Sequence, residues 1–340
     1  MLIRRTVENQ VTRRLLPVLV FGLTAVLPFA SSVALASDPP AGSIEGFIDR
    51  EMPSSGVPGL AYAVLQDGEI TSVGARGVLR IGEDRNVTPD TAFVTGSISK
   101  SFTALAVMQL VEASKIDLDS DLSAYLDGFA GRPAGAITIR QLLSHTSGFS
   151  TLQGNASHAD TTGGKDELAR AVDELADVIP AYEPDERWEY SNTNYEILGR
   201  LIEVVSGQDY QAYVTTNILE PVGMDHSFVA DGEIHESMAT GHRPWFGAKV
   251  ALPDNGTDRV TAPQGGIVAS ASDLARYLQM MMNGEDDVLS ANGKSLMMLP
   301  AGGVSPSYGF GWNVDTANGA VWHDGVSPGF ESLATMVPAE

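Results

Sequence analysis

The chain has 340 residues, 43 of them acidic against 21 basic, for a formal net charge of −22, and it contains no cysteine. So acidic a surface repels nucleic acid and anionic lipid, and the lack of thiols excludes disulfides, thiolate metal sites and a lipid-modified cysteine. The length suits one large domain or two interleaved ones.

Residues 1–36 read as an export signal. Arg4, Arg5, Arg13 and Arg14 form a basic start, Leu15 to Phe29 an apolar run, and Ala34-Leu35-Ala36 a small-residue cleavage site. Cleavage after Ala36 predicts a periplasmic or secreted protein made of residues 37–340. The run is short, and broken by Pro17 and Pro28, for a membrane span of about 20 residues; an uncleaved N-terminal anchor is the alternative. Thr12-Arg13-Arg14-Leu15-Leu16 loosely matches a twin-arginine signal, a second export route.

Ser43 to Met52 predicts a short amphipathic helix with Ile44, Phe47 and Ile48 on one side. Leu60 to Gln66 and Glu69 to Leu79 predict two strands joined at an Asp67-Gly68 turn. Near the other end, Tyr308 to Val314, Ala320 to His323 and Glu331 to Val337 predict three more. Between these ends the pattern is helical. Ile98 to Ala113 and Asn192 to Val205 form two runs, the second ended by Gly207, and Ser272 caps a third through Met282. Ser150 to Lys165, rich in Ser, Thr, Gly and Asn, predicts a surface loop at the rim of the site. The expected fold is α+β: a five-stranded antiparallel sheet from about 42–96 and 305–340, flanked by helices, with a helical region of about 97–304 inserted.

The chemistry begins at Gly96-Ser97-Ile98-Ser99-Lys100, where an extended segment, Thr91 to Thr95, meets the first long helix. Ser97 then lies in the first turn, and Lys100, three residues on, shares its face. A serine hydroxyl is a poor nucleophile until a neighbouring base takes its proton. Burial and a helix N-terminus both disfavour an ammonium, so a lysine placed there can be that base. Read alone, the same spacing also describes a helix cap with a surface lysine.

Two further motifs follow in order: Tyr190-Ser191-Asn192 at the mouth of the second helix and His323-Asp324-Gly325 on a strand. The series SxxK, YxN and a KTG-like triplet resembles the serine β-lactamase and penicillin-binding-protein superfamily, in its class C-like branch. Gln141 to Gly148 (QLLSHTSG), Pro221 to Met224, Gln264 to Gly266 and Tyr308 to Trp312 agree with it. The resemblance implies that Ser97 is the nucleophile and that Lys100 and Tyr190 move protons. It also implies that Asn192, His323, Asp324 and Gly325 meet the substrate, and that the backbone N–H groups of Ser97 and Val326 form the oxyanion hole. The third motif departs from the lactamase pattern, with His323 for lysine and Asp324 for a hydroxyl residue. His323-x-Gly325 resembles some D-alanyl-D-alanine carboxypeptidases, D-aminopeptidases and esterases of the superfamily. A carboxylate at 324 would repel a substrate carboxylate by about 1 kcal/mol or more, which favours uncharged acyl substrates.

Three functions stay open: a serine hydrolase of esters or amides, a D-alanyl-D-alanine carboxypeptidase or β-lactamase, and a catalytically inactive binding or sensor domain. The expected partner is a small-molecule or peptide acyl substrate, with neither metal nor organic cofactor. The histidines are scattered: His145, His158, His226 and His242 read as structural or surface residues, and His235-Glu236 lacks the second histidine of a zinc motif. Gly325-Val326-Ser327-Pro328-Gly329 formally matches a nucleophile elbow. Pro328, however, lacks the N–H that such an elbow must donate. Few residues follow His323 in this sequence, so a bare sheet face or a truncated C-terminus is a further expectation.

Overall fold

The computed structural model describes residues 43–338, apart from 155–163, 165, 234, 247, 254–257 and 285–287, together with the backbone of a strand at Val18–Thr24. The cleavage site after Ala36, the basic start of the leader, His158 and most of the predicted 150–165 loop lie outside the described residues.

One antiparallel sheet gathers both ends of the chain. Its strands are β1 (Val18–Thr24), β2 (Gly59–Gln66), β3 (Glu69–Gly77), β9 (Asn313–Asp315), β10 (Ala320–Ser327) and β11 (Phe330–Met336), in the order β3-β2-β1-β11-β10-β9. Asp67 and Gly68 both adopt left-handed backbone, φ 53° and 79°, the turn that suits the twist of a tight hairpin. The sheet thus has six strands, not the expected five, and those five are not contiguous. β1 stands between β2 and β11, pairing Val18 to Thr24 with Leu65 to Gly59 and Phe21 to Leu23 with Leu333 to Glu331. The physical reason is backbone pairing: β2 and β11 each present a ladder edge, and β1 supplies partners to both. These seven residues belong to the apolar run predicted as part of the export signal.

Two small sheets complete the strand inventory of the described residues. β4 (Phe93–Val94), β8 (Ile267–Ala269) and β5 (Phe228–Val229) form one, and the hairpin β6 (His242–Trp245) with β7 (Ala248–Ala251) forms the other.

Helices pack on both faces of β2. α1 (Ile44–Ser55), capped by Ser43, lays Ile44, Phe47 and Ile48 on Leu60, Tyr62 and Val64 of β2. The alternate β2 residues Ala61, Ala63 and Leu65 face the main core, as the period of two requires. On that side lies α5 (Ala271–Met282), whose cap is Ser270, accepting from the Asp273 N–H, rather than the predicted Ser272. α2 (Ser99–Glu112) runs through the core with Ser99 to Met108 and Leu110 all buried, its polar Ser99, Lys100, Ser101 and Thr103 included. α3 (Ile139–Leu143) carries a Thr138–Gln141 capping box, and α4 (Asn192–Ser206) ends at Gly207, φ 74°.

The predicted strand Tyr308–Val314 reaches the sheet only from Asn313 onward. A Cβ on Gly309 would lie 2.3 Å from the Met297 carbonyl oxygen, and one on Gly311 2.8 Å from that of Lys100. The segment is therefore pressed against helices, which only glycine permits.

Candidate active site

Ser97 sits in a single 3-10 turn, Gly96–Ile98, between β4 and α2. Both ends of the turn are clamped. The Thr95 N–H and hydroxyl reach the Ile267 carbonyl at 3.0 and 2.7 Å, and the Thr95 carbonyl accepts from Ser332 Oγ at 2.6 Å. Ser99 Oγ in turn accepts from the Ile267 N–H at 2.8 Å. β10 passes directly behind. A Cβ on Gly325 would fall 1.9 Å from the Thr95 oxygen, and one on Gly96 2.7 Å from the Val326 nitrogen. Glycine at 325 is thus what brings the Val326 amide against the Ser97 turn, the juxtaposition an oxyanion hole of two backbone N–H groups needs.

Lys100 is fully buried. Its Nζ lies 2.8 Å from Asn192 Oδ1, 2.8 Å from the Gln264 carbonyl oxygen and 3.2 Å from Ser97 Oγ. Burial pulls its pKa down to about 7, against the opposing pull of Glu196 and Asp324. The three oxygens can accept the three N–H bonds of an ammonium; in the neutral amine two of them keep the N–H bonds and the Ser97 hydroxyl can donate into the lone pair.

Tyr190 closes the site from the α4 side, its ring centroid 4.8 Å from Lys100 Nζ. Burial raises the phenol well above its ordinary range, while nearby Ser97 eases its ionisation. The Tyr190 hydroxyl is buried, and Ser97 is the neighbour that bears on it directly. The predicted Ser97, Lys100, Tyr190 and Asn192 therefore converge, although 92 residues separate Lys100 from Asn192.

His323 is also drawn in, its ring 6.2 Å from that of Tyr190. Both its nitrogens are engaged within the protein: Nδ1 donates to the Asp324 carbonyl at 2.6 Å, and Nε2 accepts from the Tyr308 hydroxyl at 3.1 Å. Burial and the Lys100 charge hold its pKa down to about 4, so the ring is neutral near pH 7. Asp324 alternates with it on β10 and is half-buried, near enough to bear on Lys100 and Tyr190 electrostatically.

Three site residues escaped the sequence reading. The Gln264 carbonyl lies in the Gln264-Gly265-Gly266 stretch, which was recognised without a role. Glu196, buried and acting on Lys100, stands four residues after Asn192, so helical spacing alone put both on one face. His145, read as structural or surface, packs its ring 4.4 Å from that of Tyr190.

Comparison with known proteins agrees with this geometry. A sequence model of the Beta-lactamase family matches residues 44–340. The chain belongs to that family. Among curated relatives, it is similar to Penicillin-binding protein 4 of Amycolatopsis lactamdurans, 34% identical over 314 residues, covering 83% of this chain and 78% of that protein. It is 25% identical to Protein flp of Staphylococcus aureus, over 87% of this chain but only 60% of that protein. Among solved structures, the octameric penicillin-binding protein homologue from Pyrococcus abyssi superposes with a TM-score of 0.72 at 27% identity, covering 87% of this chain and 73% of that one. EstCE1, a hydrolase with promiscuous acyltransferase activity, shares the fold at a TM-score of 0.70 and 20% identity, covering 86% and 92%. This Beta-lactamase family member thus sits in the serine β-lactamase and penicillin-binding-protein superfamily.

Proposed function

We propose that the protein hydrolyses an ester or amide through a covalent acyl-enzyme on Ser97. The observation that carries this reading is the buried Nζ of Lys100 within hydrogen-bonding distance of Ser97 Oγ, Asn192 Oδ1 and the Gln264 carbonyl, where its neutral form can take the Ser97 proton. Ser97 Oγ attacks the acyl carbon and its proton passes to Lys100. The oxygen of the tetrahedral species gains charge beside the backbone N–H groups of Ser97 and Val326. Collapse expels the alcohol or amine, which takes a proton through Lys100 and Tyr190. Water then attacks the acyl-enzyme by the reverse relay, regenerating Ser97. No cofactor enters the scheme. Ser97→Ala should abolish turnover of a p-nitrophenyl ester, and unchanged turnover would overturn the assignment.

The charge of Asp324, which acts at a distance on Lys100 and Tyr190, supports an uncharged acyl group over a substrate carboxylate. A second reading, a penicillin-interactive peptidase or β-lactamase, draws on the similarity to Penicillin-binding protein 4. Retention of a fluorescent penicillin on Ser97 would favour the peptidase, rapid nitrocefin turnover the lactamase, and neither the ester or amide hydrolase. Export to the periplasm or medium is part of the same proposal and rests on the composition of residues 1–36.

A further inference from the structure

We propose that His145 is a positioning residue for the proton relay: as a neutral hydrogen-bond acceptor, it holds the Tyr190-Ser191-Asn192 turn where the phenol and the carboxamide meet Lys100 and Ser97.

His145 is 1% exposed. It sits just beyond α3 in left-handed backbone, φ 60°, which few residues other than Gly, Asn, Asp and His adopt readily. Its Nδ1 accepts two N–H groups, the backbone amide of Ser191 at 3.2 Å and the side-chain amide of Asn194 at 3.1 Å. Its carbonyl accepts the backbone N–H of Glu189 at 3.0 Å. One residue therefore grips the turn on both sides of Tyr190, while its ring lies against the Tyr190 ring.

The rest of the QLLSHTSG stretch extends this grip. Thr146 and Gly148 carbonyls accept from the Asp185 and Tyr182 N–H groups at 2.8 and 3.1 Å, and Ser147 Oγ donates to Asn194 Oδ1 at 2.6 Å. The strap 144–148 thus lines the segment leading to Tyr190, and His145 is the member that reaches the catalytic turn.

Because Nδ1 receives two donors, the ring proton belongs on Nε2. Nε2 is buried with no hydrogen-bond partner among the described residues, and the rings of Tyr190, Tyr195, Tyr308 and Trp188 lie 4.4 to 6.2 Å from the imidazole centroid. Burial and the charges on Lys100 and His323 push its pKa well below the ordinary histidine range, which keeps the acceptor form in place. His145 touches neither Ser97 nor Lys100 by hydrogen bond, so its effect must pass through the turn that it holds. Displacing a catalytic group by about 1 Å can cost on the order of a hundredfold in rate.

The inference rests on the proposed acyl-transfer reading, and the test separates the two. Ser97→Ala, His145→Asn and His145→Gly are compared with the parent in p-nitrophenyl ester turnover and in the rate of fluorophosphonate labelling. Asn and Gly both tolerate the left-handed backbone, but only Asn offers an acceptor oxygen near the Nδ1 position. His145→Gly should lower kcat by about a hundredfold with KM changed less than about threefold, and slow labelling in parallel. His145→Asn should restore kcat to within about tenfold of the parent. If the Gly variant fails to fold, His145→Gln takes its place, since it moves the acceptor outward to the Nε2 position. Equal kcat in parent and Gly variant, or equal losses in Asn and Gly variants that both unfold at the parent temperature, would overturn the role of His145. Undiminished activity of Ser97→Ala would instead overturn the acyl-transfer reading beneath it.

Discussion

The amine of Lys100 stands 3.2 Å from the hydroxyl of Ser97, one helical turn away, in a setting from which water is excluded and where two carbonyl-type oxygens consume its N–H bonds. Burial lowers its pKa to about 7, so the basic form fills as pH rises through that value. The ratio kcat/KM should therefore climb about tenfold per pH unit below 7 and level off above it. A pH profile with an uncharged ester checks this. A plateau extending well below pH 6 would show that a neutral lysine is not the base.

Lys100→Met separates catalysis from stability. The thioether is close to isosteric with the lysine stem, and loss of the base should cut kcat by about a thousandfold or more. The fold should not suffer, because a buried amine with a depressed pKa opposes folding where it is protonated. The sign follows from the lowered pKa. Below about pH 7 the native state must hold an ammonium in a dry site, so there the variant should unfold at a higher temperature than the parent. Thermal unfolding at pH 6 monitored by circular dichroism measures it.

Gly325→Ala tests the contact between β10 and the nucleophile turn. Its Cβ would overlap the Thr95 oxygen, which already accepts from Ser332. A backbone neighbour cannot swing aside, so the strand must shift and carry the Val326 amide with it. Acylation should fall by about a hundredfold or more, the scale of losing one oxyanion donor, together with a lower unfolding temperature. Wild-type acylation rates in the variant would remove Val326 from the oxyanion hole.

Much of this site was legible because its chemistry sits in short motifs on regular elements. Ser97 and Lys100 share a helix start, Asn192 opens another helix, and Gly325 lies on a strand, so short motifs that resemble those of the superfamily placed them. His145 and the Gln264 carbonyl were not legible in that way. The imidazole of one meets a backbone amide 46 residues ahead and the other offers only its own carbonyl, and neither contact is written in local spacing. The strand at Tyr308 failed for a related reason: its alternation was genuine, but Gly309 and Gly311 marked close packing against helices rather than a place in the sheet. The place of β1 was hidden because a short, mostly apolar stretch suits a leader and a central strand equally well.

The two readings of Val18–Thr24 compete for the same residues. A leader cut after Ala36 would take β1 away and open the sheet between β2 and β11. A chain beginning at Ser37 should therefore unfold at a lower temperature than one that keeps Val18–Thr24, and should bind more of a hydrophobic dye, since β2 would lose a paired edge. Identical unfolding curves for the two chains would show that β1 contributes nothing to the sheet.

The central claim is that Ser97 forms the acyl-enzyme. Peptide mass mapping after exposure to a fluorophosphonate tests it most directly. One adduct is expected, on the peptide carrying Ser97, absent from Ser97→Ala and slowed in Lys100→Met. An unmodified protein, or an adduct on another serine that persists in Ser97→Ala, would contradict it.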